Sequence, residues 1–472
     1  MVFSSIIFIF GFLPIVLLLY YVCNKEYRNI YLAIVSFLFY SFGGPKYLII
    51  MCISILINYS LSLLINYITN VKEELKRNRR LVLFLIVFLN LLLLFYFKYF
   101  DFTLHTINGI FNTSIPIKNI ILPIGISFYT FQGLSYSLDV YMGKIKVQKN
   151  IINLAINFSF FPHLIAGPIV RFKDVNDQIY HRECTSDKFV EGIHRFIIGL
   201  AKKVIIADNM AYVTDQIFGL EPSNLTAPIA WLGIICYTLQ IYFDFSGYSD
   251  MAIGLGKMFG FEFLENFNYP YISKSITEFW RRWHISLSSW FRDYLYIPLG
   301  GNRKGNVYFN LIVVFFVTGL WHGASWNFIV WGLYYGVFLI FERIFKQFNI
   351  NIKIPAPIKW FYTIIVVIIG WVFFRSPDLT YAIGYLKVMF GLGQATLSNI
   401  NILWYMQPEY LFIFLLGVIF SFPIKNKLLS FDFIKNKKTR FVIYNFSLFC
   451  LFIIAIVYVM SSTYSPFIYF RF

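Results

Sequence analysis

Charge is scarce in this sequence. Asp, Glu, Lys and Arg together make up 13% of its 472 residues, against about 25% in a soluble domain. A water-soluble fold of this size cannot cover its surface with so few charges, and a disordered chain or a coiled coil needs many more. Cysteine is scarce too. The five residues Cys23, Cys52, Cys184, Cys236 and Cys450 are scattered and form no CxxC pair, which excludes a disulfide scaffold. Four lie in or beside apolar runs; Cys184, in a polar loop, is the one with a reactive setting. The sequence has no HExxH, no Walker-type phosphate loop and no GxSxG, so zinc-protease, P-loop and nucleophile-elbow chemistry have no motif to rest on. No repeat, linker or low-complexity tract divides it, so residues 1–472 are expected to form a single membrane domain.

What the chain has is apolar mass. Hydrophobic residues are 58% and aromatics 21%, with 56 Phe and 34 Tyr. So much apolar surface needs a bilayer as its solvent, and in a bilayer only helices or a closed barrel satisfy the backbone. The runs are helical in length. The first, MVFSSIIFIFGFLPIVLLLYYV, carries no Lys or Arg ahead of it and reads as an uncleaved span. Others run at about 29–43, 46–68, 81–97, 118–140, 151–166, 190–206, 226–245, 308–322, 326–342, 358–374, 408–423 and 441–461. Several reach the ~20 residues that a span requires, and the shorter ones suit re-entrant or buried helices. The predicted fold is an all-α, polytopic membrane protein of the cell membrane.

The net charge is +17, from 40 Lys and Arg against 23 Asp and Glu. The cations gather in short loops at 71–80, 143–149 and 425–440. That pattern predicts cytoplasmic loops beside anionic headgroups and an N-terminus outside, not nucleic-acid binding.

Two polar regions break the apolar pattern, at 166–189 and 242–305. The second places Asp244, Asp250, Glu278, Arg281, Arg282, His284 and Arg292 among aromatics. Ionisable groups near bilayer depth are costly and mark an enclosed cavity. Within it, ITEFWRRWHISLSSWFRDY has one continuous helical period, with Trp283, Leu287, Trp290 and Tyr294 on one face and Arg281, Ser288 and Arg292 on another. Such a helix is either an anchor at the membrane surface or a cationic wall that holds a phosphorylated donor. Among six histidines, His322 stands apart. No other Asp, Glu, Lys, Arg or His occurs from Leu311 to Ile340. Such a histidine is either a hydrogen-bonded core residue or a group that moves a proton inside the membrane. His163, His284 and His322 show no spacing that would bind a metal, and no metal is expected.

Several segments together resemble the bacterial branch of the membrane-bound O-acyltransferases that contains the alginate O-acetyltransferase membrane subunit. They are LPIGISFYTFQGLSYSLDVY (122–141), FPHLIAGPIVRF (161–172), QIYFDFSGYSDMAIGLGKMFGF (240–261), ENFNYPYISKSITEFWRRWHISLS (265–288), GLWHGAS (319–325) and GWVFFR (370–375). The resemblance implies a helical bundle with re-entrant segments around a central funnel. It implies that an acetyl group from a cytoplasmic donor, acetyl-CoA, is passed outward for O-acetylation of an alginate-like polysaccharide or peptidoglycan, with no bound cofactor. By motif position, His322 and His284 are its expected catalytic residues, and His163 is a further candidate. Arg281, Arg282 and Arg292 are expected at the donor, and Asp244 and Glu278 in the polar cavity. An extracytoplasmic SGNH-type protein is the expected partner. The alternatives are D-alanyl transfer to teichoic acid and, in another class, a transporter of polysaccharide precursors.

Overall fold

At four helix starts, a short polar side chain closes the first turn. Asn150 accepts from the amides of Ile152 and Asn153, Asn306 from those of Tyr308 and Phe309, Asp378 from that of Tyr381, and Ser275 from that of Glu278. The computed structural model describes residues 2–71, 76–165, 167–348, 354–393, 401–424 and 437–461. Among the described residues there is no strand. Among them, too, six helices are long and apolar enough to cross a membrane, and Ile7–Val22, Val307–His322 and Pro408–Phe420 are shorter apolar helices. The chain is an all-α, multi-pass membrane protein. The packing resolves into two compact units. Much of the basic loops 71–80 and 425–440 lies outside the described residues, so the predicted topology is not read from them.

The first unit is Met1–Phe196 with Met251–Leu264. It holds α1 (Leu13–Val22), α2 (Arg28–Ser41), α3 (Pro45–Val71), α4 (Lys76–Leu94), α5 (Phe100–Phe111), α6 (Ile126–Tyr141), α7 (Ile151–Ser159), the single turn α8 (Phe161–Leu164), α9 (Phe172–Tyr180) and most of α10 (Ser186–Ala201). Helices α3, α4 and α6 pack together, and their seam is polar. Asn58 and Asn90 exchange amide hydrogen bonds at 3.0 and 3.3 Å; Ser137 donates to Asn58 at 2.9 Å and Ser62 to Ser137 at 3.0 Å. In lipid, such groups have only one another to bond, so the ladder fixes helix register. Helix α6 starts at Ile126, later than the apolar run from 118 suggests, because Gly125 holds φ +76 there. A Cβ at Gly125 would lie 2.7 Å from the Leu164 carbonyl, so α6 meets the α8 turn backbone to backbone.

The second unit is Ile197–Asp250 with Glu265–Phe472. It holds α11 (Asp208–Phe218), most of α12 (Ala227–Met258), α13 (Ile276–Arg282), α14 (Ile285–Phe291), α15 (Val307–His322), α16 (Trp326–Gln347), α17 (Ala356–Arg375), α18 (Leu379–Met389), α19 (Pro408–Phe420) and α20 (Lys437–Ser461). The polar sequence from 242 onward does not interrupt a helix, as its composition suggested: α12 runs on through it to Met258. Its carboxylates are buried against lysines. Lys203 Nζ lies 2.7 Å from Asp208 and 2.8 Å from Asp244, and Lys202 Nζ lies 2.7 Å from Asp250. Residues 202–207 form a π-helical turn in which the Asp208 amide bonds the Lys203 carbonyl. That spacing brings residues five apart onto one face, which is how Lys203 reaches Asp208.

The two backbones of the α15–α16 hairpin approach closely. A Cβ on Gly319 would lie 2.3 Å from the Phe328 carbonyl oxygen, and one on Gly332 would lie 2.2 Å from that of Phe315. Small residues let the two backbones touch. Helix α13 is tied to α16 through Glu342, whose carboxylate accepts from the Thr277 amide at 3.0 Å and Thr277 Oγ1 at 2.7 Å and also from the Ile276 amide. Glu342→Ala removes this cap. It is expected to lower stability by ~1–2 kcal/mol, read as a lower melting midpoint in detergent, while Glu342→Gln retains part of the loss. An unchanged midpoint in the alanine variant would mean that α13 is held elsewhere.

Candidate functional site

Helix α15 ends at His322 because Gly323 and Ser325 are extended and start the three-residue turn into α16. This leaves the imidazole at a helix terminus, 5% exposed, inside a ring of aromatics. Its ring centroid lies 4.9 Å from those of Trp321 and Trp331, 5.3 Å from Phe374 and 6.5 Å from His284. The enclosing residues come from α15, α16 and α17, and the Asn327 amide fastens α16 to the Ser376 carbonyl at 2.7 Å beside them. Trp331 and its neighbours Trp280 and Tyr335 carry buried indole N–H and hydroxyl groups without a hydrogen-bond partner among the described residues.

His284 stands at a break. The continuous helix predicted over 276–294 is two short helices, with Trp283 extended and His284 left-handed at φ 44°, ψ 54°. The neighbouring segment accounts for the break. The Asn268 amide bonds the Arg282 carbonyl at 2.9 Å, and the Ile285 amide bonds the Asn266 carbonyl at 2.9 Å. Backbone groups that would have continued the helix are used there instead. Trp283, Leu287, Trp290 and Tyr294 are nonetheless buried, as their spacing suggested. The break turns His284 inward, 3% exposed, with its ring against Trp321 and His322.

The arginines are differently placed. Arg281 is exposed. Arg282 pairs with Glu278 at 2.9 Å and donates to the Asn268 carbonyl at 3.2 Å; Arg292, also exposed, pairs with Asp293 at 2.7 Å. Asp244 lies in the Lys203 ion cluster on α12, and Glu278 in the first turn of α13. The structure thus joins His284 to His322, Glu278 to Arg282 and Asp244 to Lys203. Lys203 escaped the sequence reading, although a lysine pair inside IIGLAKKVIIAD was its signal.

His163 belongs to the first unit. It sits on the α8 turn, 2% exposed, with Nδ1 3.0 Å from Gln132 Nε2 and its ring packed on Phe160 and Phe263. A Cβ on Gly167 would meet its Cα at 2.7 Å, so the Gly of the PHLIAGP segment lets the chain fold back onto the histidine.

The model of the membrane-bound O-acyltransferase family matches residues 32–376, which include His163, His284 and His322. A Pseudomonas aeruginosa protein named "Probable alginate O-acetylase AlgI" is 48% identical over 407 residues, covering 85% of this chain and 77% of that protein. The peptidoglycan O-acetyltransferase of Helicobacter pylori is 35% identical and covers 100% of this chain and 98% of its own length. The teichoic acid D-alanyltransferase of Bacillus subtilis is 31% identical over 271 residues, 55% of this chain. With a family model over most of its length and acetyltransferases among its relatives, the chain belongs to the membrane-bound O-acyltransferase family.

Proposed function

We propose that the group moved is acetyl, that its donor is acetyl-CoA, and that the acceptor is a polysaccharide outside the cytoplasmic membrane, of the alginate or peptidoglycan kind. One observation carries the reading: the relatives that align over most or all of this chain are named for O-acetylation, and the D-alanyl relative aligns over about half.

The site supports it chemically. His322 takes the proton from an acceptor hydroxyl, or from the nucleophile of a partner. The oxygen then attacks the thioester carbonyl, the C–S bond breaks as the C–O bond forms, and the proton leaves with the thiolate. The buried indole N–H of Trp331 beside it suits an acyl oxygen on which charge develops. The aromatic enclosure favours a small uncharged acyl group, since the ammonium of D-alanine would need a counter-ion there. Arg281 is the exposed guanidinium for the donor phosphates. Arg282 and Arg292 are in local pairs of the kind worth ~0–1 kcal/mol, which a phosphate can displace. The partner is a second, extracytoplasmic protein of the SGNH type that receives the acetyl group or presents the sugar, because a long polymer cannot thread so apolar a bundle.

Deleting the gene and hydrolysing the surface polymers with mild base tests this. Released acetate is expected to fall. Unchanged acetate with lost D-alanine would replace the acetyl assignment, and no change in either would favour the transporter reading.

A further inference from the structure

Asn266 is the side chain on which the His284 break is built. It is 2% exposed. Its Oδ1 lies 3.1 Å from the Ser286 amide nitrogen, 2.9 Å from Ser286 Oγ and 3.2 Å from His284 Nδ1. A backbone N–H can only donate, so the amide atom facing Ser286 is the oxygen, and the orientation of the Asn266 side chain follows from chemistry. That same oxygen faces Nδ1. An amide oxygen has only lone pairs, so the nitrogen opposite it carries the proton.

We propose that Asn266 is the positioning residue of the histidine pair: it holds His284 in the Nδ1-protonated form, so that Nε2 bears the lone pair and is the working nitrogen. Three further observations belong with this. The Ile285 amide bonds the Asn266 carbonyl, so one residue clamps both the backbone on the C-terminal side of His284 and its ring. The left-handed backbone of His284 is costly for a non-glycine residue and persists where its surroundings enforce it. Among the rings packed on His284 are those of Phe267, Trp321 and the titratable His322. Two histidines within 6.5 Å of each other can divide proton acceptance and hydrogen bonding only if their tautomers are set. Asn266 sets one of them.

The inference rests on the acyl-transfer reading for its purpose but not for its test. Histidine-labelled protein in nanodiscs, with the His284 signals assigned by difference from His284→Gln, reports the protonated ring nitrogen by 15N chemical shift. The expected pattern is a protonated Nδ1 and a bare Nε2. Asn266→Leu, which keeps the volume and loses the acceptor, is expected to mix the tautomers and lower kcat more than ten-fold with little change in KM for the donor. Asn266→Asp offers the same acceptor with a charge. It is expected to keep the tautomer, restore most of the rate over the leucine variant, and move the acidic limb of the rate profile to higher pH by about 1 unit or more, since an adjacent carboxylate favours the His284 imidazolium, in which Nε2 no longer bears its lone pair. If the leucine variant does not fold, the aspartate variant carries the test alone. A protonated Nε2 in the wild type, or an aspartate variant with an unmoved acidic limb, would overturn the assignment. If acetyl transfer fails while the Nδ1–H signal is present, the acetyl reading falls and the tautomer assignment stands.

Discussion

His322→Ala is expected to lower acyl transfer by ~10²–10⁴-fold, the usual cost of losing a positioned acid–base group, while the protein still inserts and accumulates. The imidazole is held at the end of α15 among the rings of Trp321, Trp331 and Phe374. His322→Gln fills nearly the same volume without a titrating nitrogen and is expected to fall equally far, which separates chemistry from packing. The measurement is acetate released from surface polymers per unit of membrane-inserted protein. Near-normal acetylation in both variants would remove His322 from the mechanism and return it to the role of a core histidine.

Lys203→Met is expected to have the largest effect on folding. It strips the shared cation from Asp208 and Asp244, both less than a tenth exposed, and so removes one ion pair from each of two buried carboxylates. Breaking a buried pair from one side costs ~3–5 kcal/mol, a large part of the ~5–15 kcal/mol that holds a typical domain together. The yield of monodisperse protein after detergent extraction is expected to collapse. Combining the change with Asp208→Asn and Asp244→Asn removes the two buried negative charges and is expected to restore much of that yield. If the single variant extracts and melts like the wild type, the cluster does not hold the π-helical turn to α12.

Both predictions mark where the sequence speaks and where it is silent. His322 is legible because isolation in a long apolar run is a one-dimensional property. The burial of Trp283, Leu287, Trp290 and Tyr294 is legible for the same reason: each short helix keeps its own period. The break between them is not, because its cause lies in Asn266 and Asn268, 14–20 residues upstream of the groups they bind. Nor is the continuity of α12. Composition marks Asp244 and Asp250 as polar interruptions, whereas Lys203 and Lys202 on another helix make them tolerable inside one. Lys203 itself hides because an i, i+5 pair is off-register for an α-helix and meets only on a π turn. The division into two packed units likewise leaves no linker in the sequence to announce it.

The contact of Gly319 with Phe328 and of Gly332 with Phe315 has a consequence for anyone who would redesign this enzyme. The two glycines face a common crossing, three residues before His322 on one helix and one residue after Trp331 on the other. A methyl group at either forces the helices apart by about an ångström before ordinary contact is restored. His322 and Trp331 travel with their helices, so that retreat opens the enclosure from behind. A larger acyl group is therefore better admitted by trimming Phe374, which stands on α17 outside the crossing, than by any change along the hairpin. The histidine is anchored in the scaffold, and what can be tailored is the Phe374 side of its enclosure.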